Sequence, residues 1–205
     1  MRNLKRLIKS FYQLLLPVFV LVLLASAGGA IWLVHSYAEP PRAEYLITPA
    51  KFAQLSSRGA QVTDETWENS DGTTSRGWLL RGTPGMPAVV LLHRYGGDRS
   101  HTLNLGVKLN ETTDFTVLMP DLRGHGLEPA VDRSSFAGCE ADDTATAIEF
   151  LKKVTVSGGK PLVGEKIGIY GVELGALSAL VVAARDPSVE TIVLESVPKS
   201  STDLI

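Results

Sequence analysis

Gly171-Val172-Glu173-Leu174-Gly175 is the stretch that decides the fold of this chain. It separates a short apolar run, residues 166–170, from an Ala/Leu/Val-rich segment over residues 174–184. The run has the composition of a strand that is buried on both faces, and the segment after it predicts a helix. Glycines flank Glu173, because a sharp turn from strand to helix leaves no room for larger side chains there. We therefore expect Glu173 to have a strained backbone conformation and an exposed side chain.

Two further apolar runs each lead into a loop rich in glycine and polar residues. Ala88-Val-Val-Leu-Leu92 leads into His93-Arg94-Tyr95-Gly96-Gly97-Asp98, and Phe115-Thr-Val-Leu-Met119 leads into Pro120-Asp121-Leu122-Arg123-Gly124-His125-Gly126. Together with the turn at Glu173, these segments resemble the α/β-hydrolase superfamily, in particular its serine-aminopeptidase-like and dienelactone-hydrolase-like branches. The resemblance extends over roughly residues 45–196, and the three landmarks occur in the order that the family has.

The resemblance implies roles for individual residues. Glu173 occupies the position of the serine nucleophile, and Tyr95 and Leu174 occupy the positions whose N–H groups form the oxyanion hole. Arg94 replaces a glycine that the family usually has, and we expect its guanidinium to form an ion pair with Glu173 across the site. The remaining landmark residues are expected to fix the loops: His93, Gly96, Gly97, Asp121, Arg123, Gly124, His125, Gly126, Gly171 and Gly175.

Strands that alternate with helices predict a three-layer α/β/α domain with a mostly parallel sheet. Residues 62–69 and 75–81 are expected to form two antiparallel strands joined at Asp71-Gly72, and helices are expected at residues 100–109 and 140–154. Thr191-Ile-Val-Leu194 is the last predicted strand. By the resemblance the last strands of the sheet are missing, so we expect a C-terminally truncated domain whose exposed edge at residues 191–194 pairs with a strand of a partner.

The first 38 residues differ in composition from the rest of the chain. Residues 1–10 contain four basic residues and no acidic ones, and residues 11–38 contain no Asp, Glu, Lys or Arg. Such a stretch predicts a single transmembrane helix with a cytoplasmic N-terminal tail and an exported domain. The alternative is a secretory signal that is cleaved near Ala27. Residues 39–57, with Pro40, Pro41 and Pro49, are predicted to form a linker, and residues 58–205 the hydrolase-like domain.

Charge and cysteine content narrow the classes of function. Beyond the basic tail, 16 basic residues stand against 22 acidic ones, so nucleic acid is not an expected partner. The single cysteine, Cys139, excludes a disulfide within the chain. No Cys or His spacing predicts a zinc site, and neither a metal nor a cofactor is expected.

All four histidines, at positions 35, 93, 101 and 125, precede Glu173, whereas the catalytic histidine of the family follows the nucleophile. Three interpretations remain open. Glu173 acts as a carboxylate nucleophile, as the equivalent aspartate does in haloalkane dehalogenases and epoxide hydrolases. Alternatively, the protein is a degenerate hydrolase, or pseudoenzyme, that binds or scaffolds, which is the interpretation we favour. In the third, the chain is a fragment of an active hydrolase. The expected substrate is an ester, an amide or a peptide.

Overall fold

The structure, a computed structural model, describes residues 2–42 and 44–200. The chain divides into two compact units between Ala38 and Glu39. The first unit is a single helix, α1, over Arg2–Ala38, with Pro17 inside it. Its part Phe11–Ala38 has 28 residues and a mean hydropathy of 2.5, and it is long and apolar enough to cross a bilayer. At 1.5 Å per residue it reaches about 42 Å, beyond the roughly 30 Å of a hydrocarbon core. A signal sequence near an N terminus shares these properties.

The second unit contains a six-stranded mixed sheet with the order β1-β2-β4-β3-β5-β6. The strands are β1 (Thr63–Glu68), β2 (Thr74–Leu80), β3 (Ala88–Leu92), β4 (Thr116–Pro120), β5 (Ile167–Val172) and β6 (Val189–Glu195). The first two strands form an antiparallel hairpin, and β2 pairs antiparallel with β4. The strands β4, β3, β5 and β6 are parallel. The predicted α/β fold with a mostly parallel sheet is therefore confirmed.

Helices cover both faces of the sheet. The helices of this unit are α2 (Pro49–Phe52), α3 (Leu103–Thr113), α4 (Gly138–Lys153) and α5 (Leu174–Ala183), with 3-10 turns at Gly59–Gln61 and Arg99–His101. Successive strand residues point to opposite faces, so Leu79 joins the core under α4 and α5, whereas its neighbour Leu80 joins the core under α3. In place of a single helix over residues 100–109, a 3-10 turn at Arg99–His101 precedes α3. Asp98 caps this turn by accepting a hydrogen bond from the Ser100 N–H.

Some residues of the segment predicted to be a linker pack against the domain. Thr48 caps the short helix α2, and Phe52 in that helix is 8% exposed. Tyr45 and Ile47 pack on the same apolar cluster as Phe52. Three prolines give residues 39–57 the composition of a linker, but the apolar side chains among them bury area, which stabilises the docked segment.

Candidate functional site

The turn between β5 and α5 gives Glu173 a backbone conformation of φ 48° and ψ −106°. Residues other than glycine rarely have positive φ, and such strain costs about 1–3 kcal/mol. The flanking glycines are required by contacts. A Cβ on Gly175 would lie 2.6 Å from the carbonyl oxygen of Leu92, and one on Gly171 would collide with the carbonyl oxygen of Gly175. The first turn of α5 therefore sits directly against the end of β3.

Glu173 is held through its backbone. Its N–H donates to the carbonyl oxygen of Glu195 at 3.0 Å, and its carbonyl oxygen accepts from the Leu177 N–H at 3.1 Å. The side chain is half-buried, and within residues 2–42 and 44–200 its carboxylate has no hydrogen bond and no ion pair. A charged, unpaired side chain thus stands at the carboxyl end of β5, where ligands of parallel α/β sheets usually bind.

The predicted ion pair between Arg94 and Glu173 is not formed within 4.0 Å in the described part of the chain. Both residues follow neighbouring parallel strands, since Leu92 of β3 is in register with Gly171 of β5. However, the Arg94 side chain is exposed and lines a cavity beside its own loop. A Cβ on Gly97 would lie 3.4 Å from Cγ of Arg94, so the Arg94 side chain begins beside Gly97 of the same loop.

Two buried histidines connect the loops that follow β3 and β4. Nε2 of His93 accepts from the Leu122 N–H at 3.0 Å, and its Nδ1 lies 2.8 Å from the carbonyl oxygen of Arg94. Nε2 of His125 accepts from the Gly96 N–H at 3.0 Å, and its Nδ1 lies 2.8 Å from the carbonyl oxygen of Arg123. Each ring is therefore neutral, with its hydrogen on Nδ1.

The environment of both histidines favours this neutral state. Burial lowers the pKa of His93 and that of His125 to about 4. Both ring nitrogens of each histidine are engaged by backbone groups, so neither ring serves Glu173 as a general base. His101 is engaged in the cap of the 3-10 turn, and His35 lies in α1.

Two arginines anchor the same loops. Arg123 makes a two-pronged contact with Asp143 of α4, with 2.8 Å from Nε and 2.7 Å from Nη2, and also binds Asp71 in the hairpin. Arg99 contacts the rings of both Tyr45 and Trp78, at 5.1 and 4.8 Å from their centroids, and the two rings also contact each other.

The Arg99 side chain is buried, and it belongs to a network of polar contacts that the sequence did not predict. Nε of Arg99 donates to the Tyr45 hydroxyl at 2.9 Å, Nη1 contacts Asp64 at 3.0 Å, and Nε lies 3.3 Å from Asp121. Burial raises the pKa of Asp121 to about 6. The partners lie 22 to 54 residues away from Arg99, so no local pattern could have signalled this network.

The other predicted site residues lie around this centre. Tyr95 is half-buried and stacks on Phe136 with ring centroids 5.7 Å apart, and Leu174 is buried at the start of α5. The oxyanion-hole role of both residues stays a prediction. Three glycines of the loops have positive φ: Gly96, Gly124 and Gly126. No cluster of three or more His, Cys, Asp or Glu side chains suited to a metal ion occurs among the described residues.

Comparisons with known proteins agree on the fold. No protein-family model matches the chain. The thiohydrolase apmlB of Arthrinium phaeospermum is 31% identical over 128 residues, which are 60% of this chain and 39% of that protein. An esterase from Pyrococcus furiosus has a similar structure, with a TM-score of 0.66 and 23% identity over 78% of this chain and 57% of that one. The α/β hydrolase GrgF from Penicillium sp. sh18 matches with a TM-score of 0.57 and 26% identity, covering 65% of this chain and 45% of that one.

This chain spans less than two thirds of the length of each of these relatives. The region of similarity nevertheless includes most of the second unit, and each relative carries the name of a hydrolase. The described domain therefore has the α/β-hydrolase fold.

Proposed function

We propose that this chain binds ester-, amide- or peptide-like ligands at the turn around Glu173 and does not hydrolyse them. The observation that carries the proposal is the Glu173 carboxylate in the strained position of the nucleophile, with no imidazole hydrogen-bonded to it among the described residues. Acyl transfer by a serine needs a hydroxyl and a histidine that accepts its proton. Here a carboxylate replaces the hydroxyl, and His93 and His125 hold loops.

Electrostatics support binding without turnover. Acyl transfer develops negative charge on the substrate's carbonyl oxygen, and an adjacent carboxylate repels that charge. In the ground state the carbonyl oxygen carries no full charge, so the carboxylate repels it less. The site therefore binds the intact ligand but does not stabilise the transition state of its hydrolysis. The N–H groups in the first turn of a helix lack acceptors within the helix, so those of α5 are the donors that we propose for such a carbonyl.

The names of the relatives support the class of ligand. A relative in sequence is named a thiohydrolase and a relative in structure is named an esterase, which supports an ester-like ligand for this chain. We further propose that α1 anchors the domain in a membrane as a single span, with the basic residues before it in the cytoplasm and the domain on the other side. The 28 uncharged residues of Phe11–Ala38 support this arrangement.

The experiment uses the full chain in detergent. We expect no hydrolysis of a p-nitrophenyl ester above the buffer rate, no labelling by a fluorophosphonate, and millimolar or tighter binding of a non-hydrolysable ketone analogue of the ester, measured by calorimetry. Glu173→Gln keeps the shape but removes the charge, so we expect the ketone to bind several-fold tighter. Turnover at an enzymatic rate that is lost in Glu173→Ala would refute the proposal, and so would the absence of ketone binding.

A second candidate is a carboxylate nucleophile, because the strained conformation is retained although the hydroxyl is not. In this reaction an oxygen of Glu173 attacks the carbon of an alkyl halide, halide leaves with the bonding electrons, and an ester remains on the protein. Without a histidine to activate water the ester persists. Intact-protein mass spectrometry after exposure to an alkyl halide distinguishes the two candidates, since only this one gives a stable adduct that Glu173→Gln abolishes.

A further inference from the structure

A cavity of about 240 Å³ lies beside the loop that follows β3. Part of its wall comes from residues that precede the sheet, and part from the loop itself, the 3-10 turn after it and Gly126. The residues that precede the sheet are Pro41, Arg42, Glu44 and Leu46. The two parts touch closely. The ring of Pro41 is 3.3 Å from the point that a Cβ on Gly96 would occupy. The cavity therefore depends on the position of Pro41 and of its neighbours Arg42, Glu44 and Leu46, which belong to the segment whose composition predicts a linker.

Two hydrogen-bond donors face this cavity without a described acceptor. Arg94 is exposed, and its guanidinium has no ion pair with any residue of the described ranges. Nδ1 of His101 accepts the Asp98 N–H at 3.3 Å and lies 3.5 Å from Oδ1 of Asp98. With Nδ1 as the acceptor, the ring carries its hydrogen on Nε2. The His101 side chain is about one third exposed, and it lines the same cavity as Arg94.

Three other charged side chains line the cavity. Arg42 and Asp98 have partners within the protein, and Glu44 has no ion pair among the described residues. Arg42 forms an ion pair with Asp132. Asp98 is buried and accepts from the N–H of Ser100 at 2.8 Å. Glu44 has no ion pair within the described part of the chain, and its negative charge opposes that of a bound anion.

We propose that this cavity binds the carboxylate group of a small molecule, between the Arg94 guanidinium and Nε2–H of His101. A guanidinium presents paired N–H groups that match the two oxygens of a carboxylate. The volume is below the roughly 300–1,000 Å³ of sites for drug-sized ligands, so the ligand is a short-chain acid. This site is separate from the turn at Glu173, and it takes an anion where Glu173 repels one.

The test compares butyrate with butyramide, its neutral counterpart of similar size, by calorimetry on the full chain in detergent. We expect butyrate to bind in the millimolar range and at least tenfold tighter than butyramide. Arg94→Gln should remove this preference, and Glu44→Gln should strengthen butyrate binding because it removes a repelling charge. Arg185→Gln is the matched control, since this exposed arginine pairs with Asp142 and lies outside the cavity. The part of butyrate binding that depends on Arg94 should be the same in Glu173→Gln, which separates this site from the proposed function.

Equal binding of butyrate and butyramide would overturn the inference, and so would a preference that survives Arg94→Gln or disappears equally in Arg185→Gln. Inorganic phosphate serves as the other probe. If it binds more tightly than butyrate in an Arg94-dependent way, the site is one for phosphate groups and the carboxylate assignment is wrong. Arg94 and Glu44 are both exposed, so their substitution leaves the core intact, and circular dichroism of each variant checks this.

Discussion

Glu173 combines a charged side chain with a backbone conformation that glycine adopts far more readily. The flanking glycines allow the turn, but nothing in the contacts of the described residues requires glutamate at its centre. The strain is therefore a cost to stability that the surrounding packing of α5 against β3 sustains. Persistence of such strain is typical of residues that take part in function.

We predict that Glu173→Gly stabilises the fold. Relief of the strain contributes about 1–3 kcal/mol, and the greater freedom of glycine in the unfolded chain offsets about 0.5–1 kcal/mol, which leaves a gain of roughly 1 kcal/mol. Urea denaturation measures the free energy of unfolding. Glu68→Gly is the control, because Glu68 is an exposed residue of the extended strand β1, and there glycine should destabilise. A loss of stability in Glu173→Gly equal to that of the control would contradict the prediction.

At the scale of elements, the site is assembled from the ends of three parallel strands. The loops after β3 and β4 exchange hydrogen bonds through His93 and His125, whose rings lie 5.2 Å apart. Each histidine anchors the neighbouring loop by accepting a backbone N–H at Nε2, and that contact requires a neutral ring. Protonation of either ring would replace an acceptor with a donor, which faces the N–H of the other loop.

We predict that stability falls as the pH drops from about 6.5 to about 4. The unfolded chain binds a proton at each histidine below its ordinary pKa of 6.5, whereas the folded chain does so only below about 4. The full stability is thus present above pH 6.5. Asp121 has the opposite effect on stability. Its pKa in the folded state is raised to about 6, so as the pH falls the folded state binds this proton before the unfolded chain does, which stabilises the fold. Two histidines outweigh one carboxyl group, and the net loss should amount to a few kcal/mol.

Urea denaturation at pH 4.5 and pH 7 measures this difference. In His125→Gln the amide oxygen can accept the Gly96 N–H but does not titrate, so the difference between the two pH values should become clearly smaller. An unchanged difference in this variant would show that the pH dependence arises elsewhere.

At the scale of the whole molecule, the sheet formed by the described residues ends at the strand β6. The strand β6 pairs only with β5 among the described residues, and Val193 on it is 55% exposed. Beside it, an apolar groove of about 530 Å³ runs over β5 and β6 towards Leu105 and Leu109 of α3. Parallel sheets are usually covered on both faces, and exposed edges pair with other strands.

We predict that the chain self-associates through this edge. Val193→Lys places a charge on the exposed face of β6 and should shift the detergent-solubilised protein towards monomer in gel filtration with light scattering. Leu127→Lys removes another exposed apolar side chain, outside the sheet, and should have no such effect. A monomeric parent protein would rule out this association. An equal shift towards monomer in both variants would indicate non-specific association of exposed apolar side chains.

The proposed membrane topology can be read out at the single cysteine. Cys139 is exposed in the domain, so a membrane-impermeant maleimide should label it in intact cells once the reagent reaches the exported side. A Ser10→Cys, Cys139→Ser variant carries the reporter on the proposed cytoplasmic flank, and it should be labelled only after the membrane is opened. The reverse pattern would refute the orientation.

The sequence by itself determined the strands β3, β4 and β5, the helix α5 and the position of Glu173 between them. Each of these features is a local pattern, an apolar run followed by glycines at fixed offsets, and local sterics decide such patterns. The long apolar helix α1 followed from composition in the same way.

Only the tertiary structure decided the rest of the site. It docked Tyr45 and Phe52 onto the domain, and it placed Arg99 in contact with two aromatic rings. It also placed Arg94 at the wall of a cavity, with no ion pair to Glu173 among the described residues. These outcomes depend on contacts between residues that are far apart along the chain. Burial and charge pairing across such distances leave no periodicity in the sequence, and they are settled only when the sheet brings its loops together.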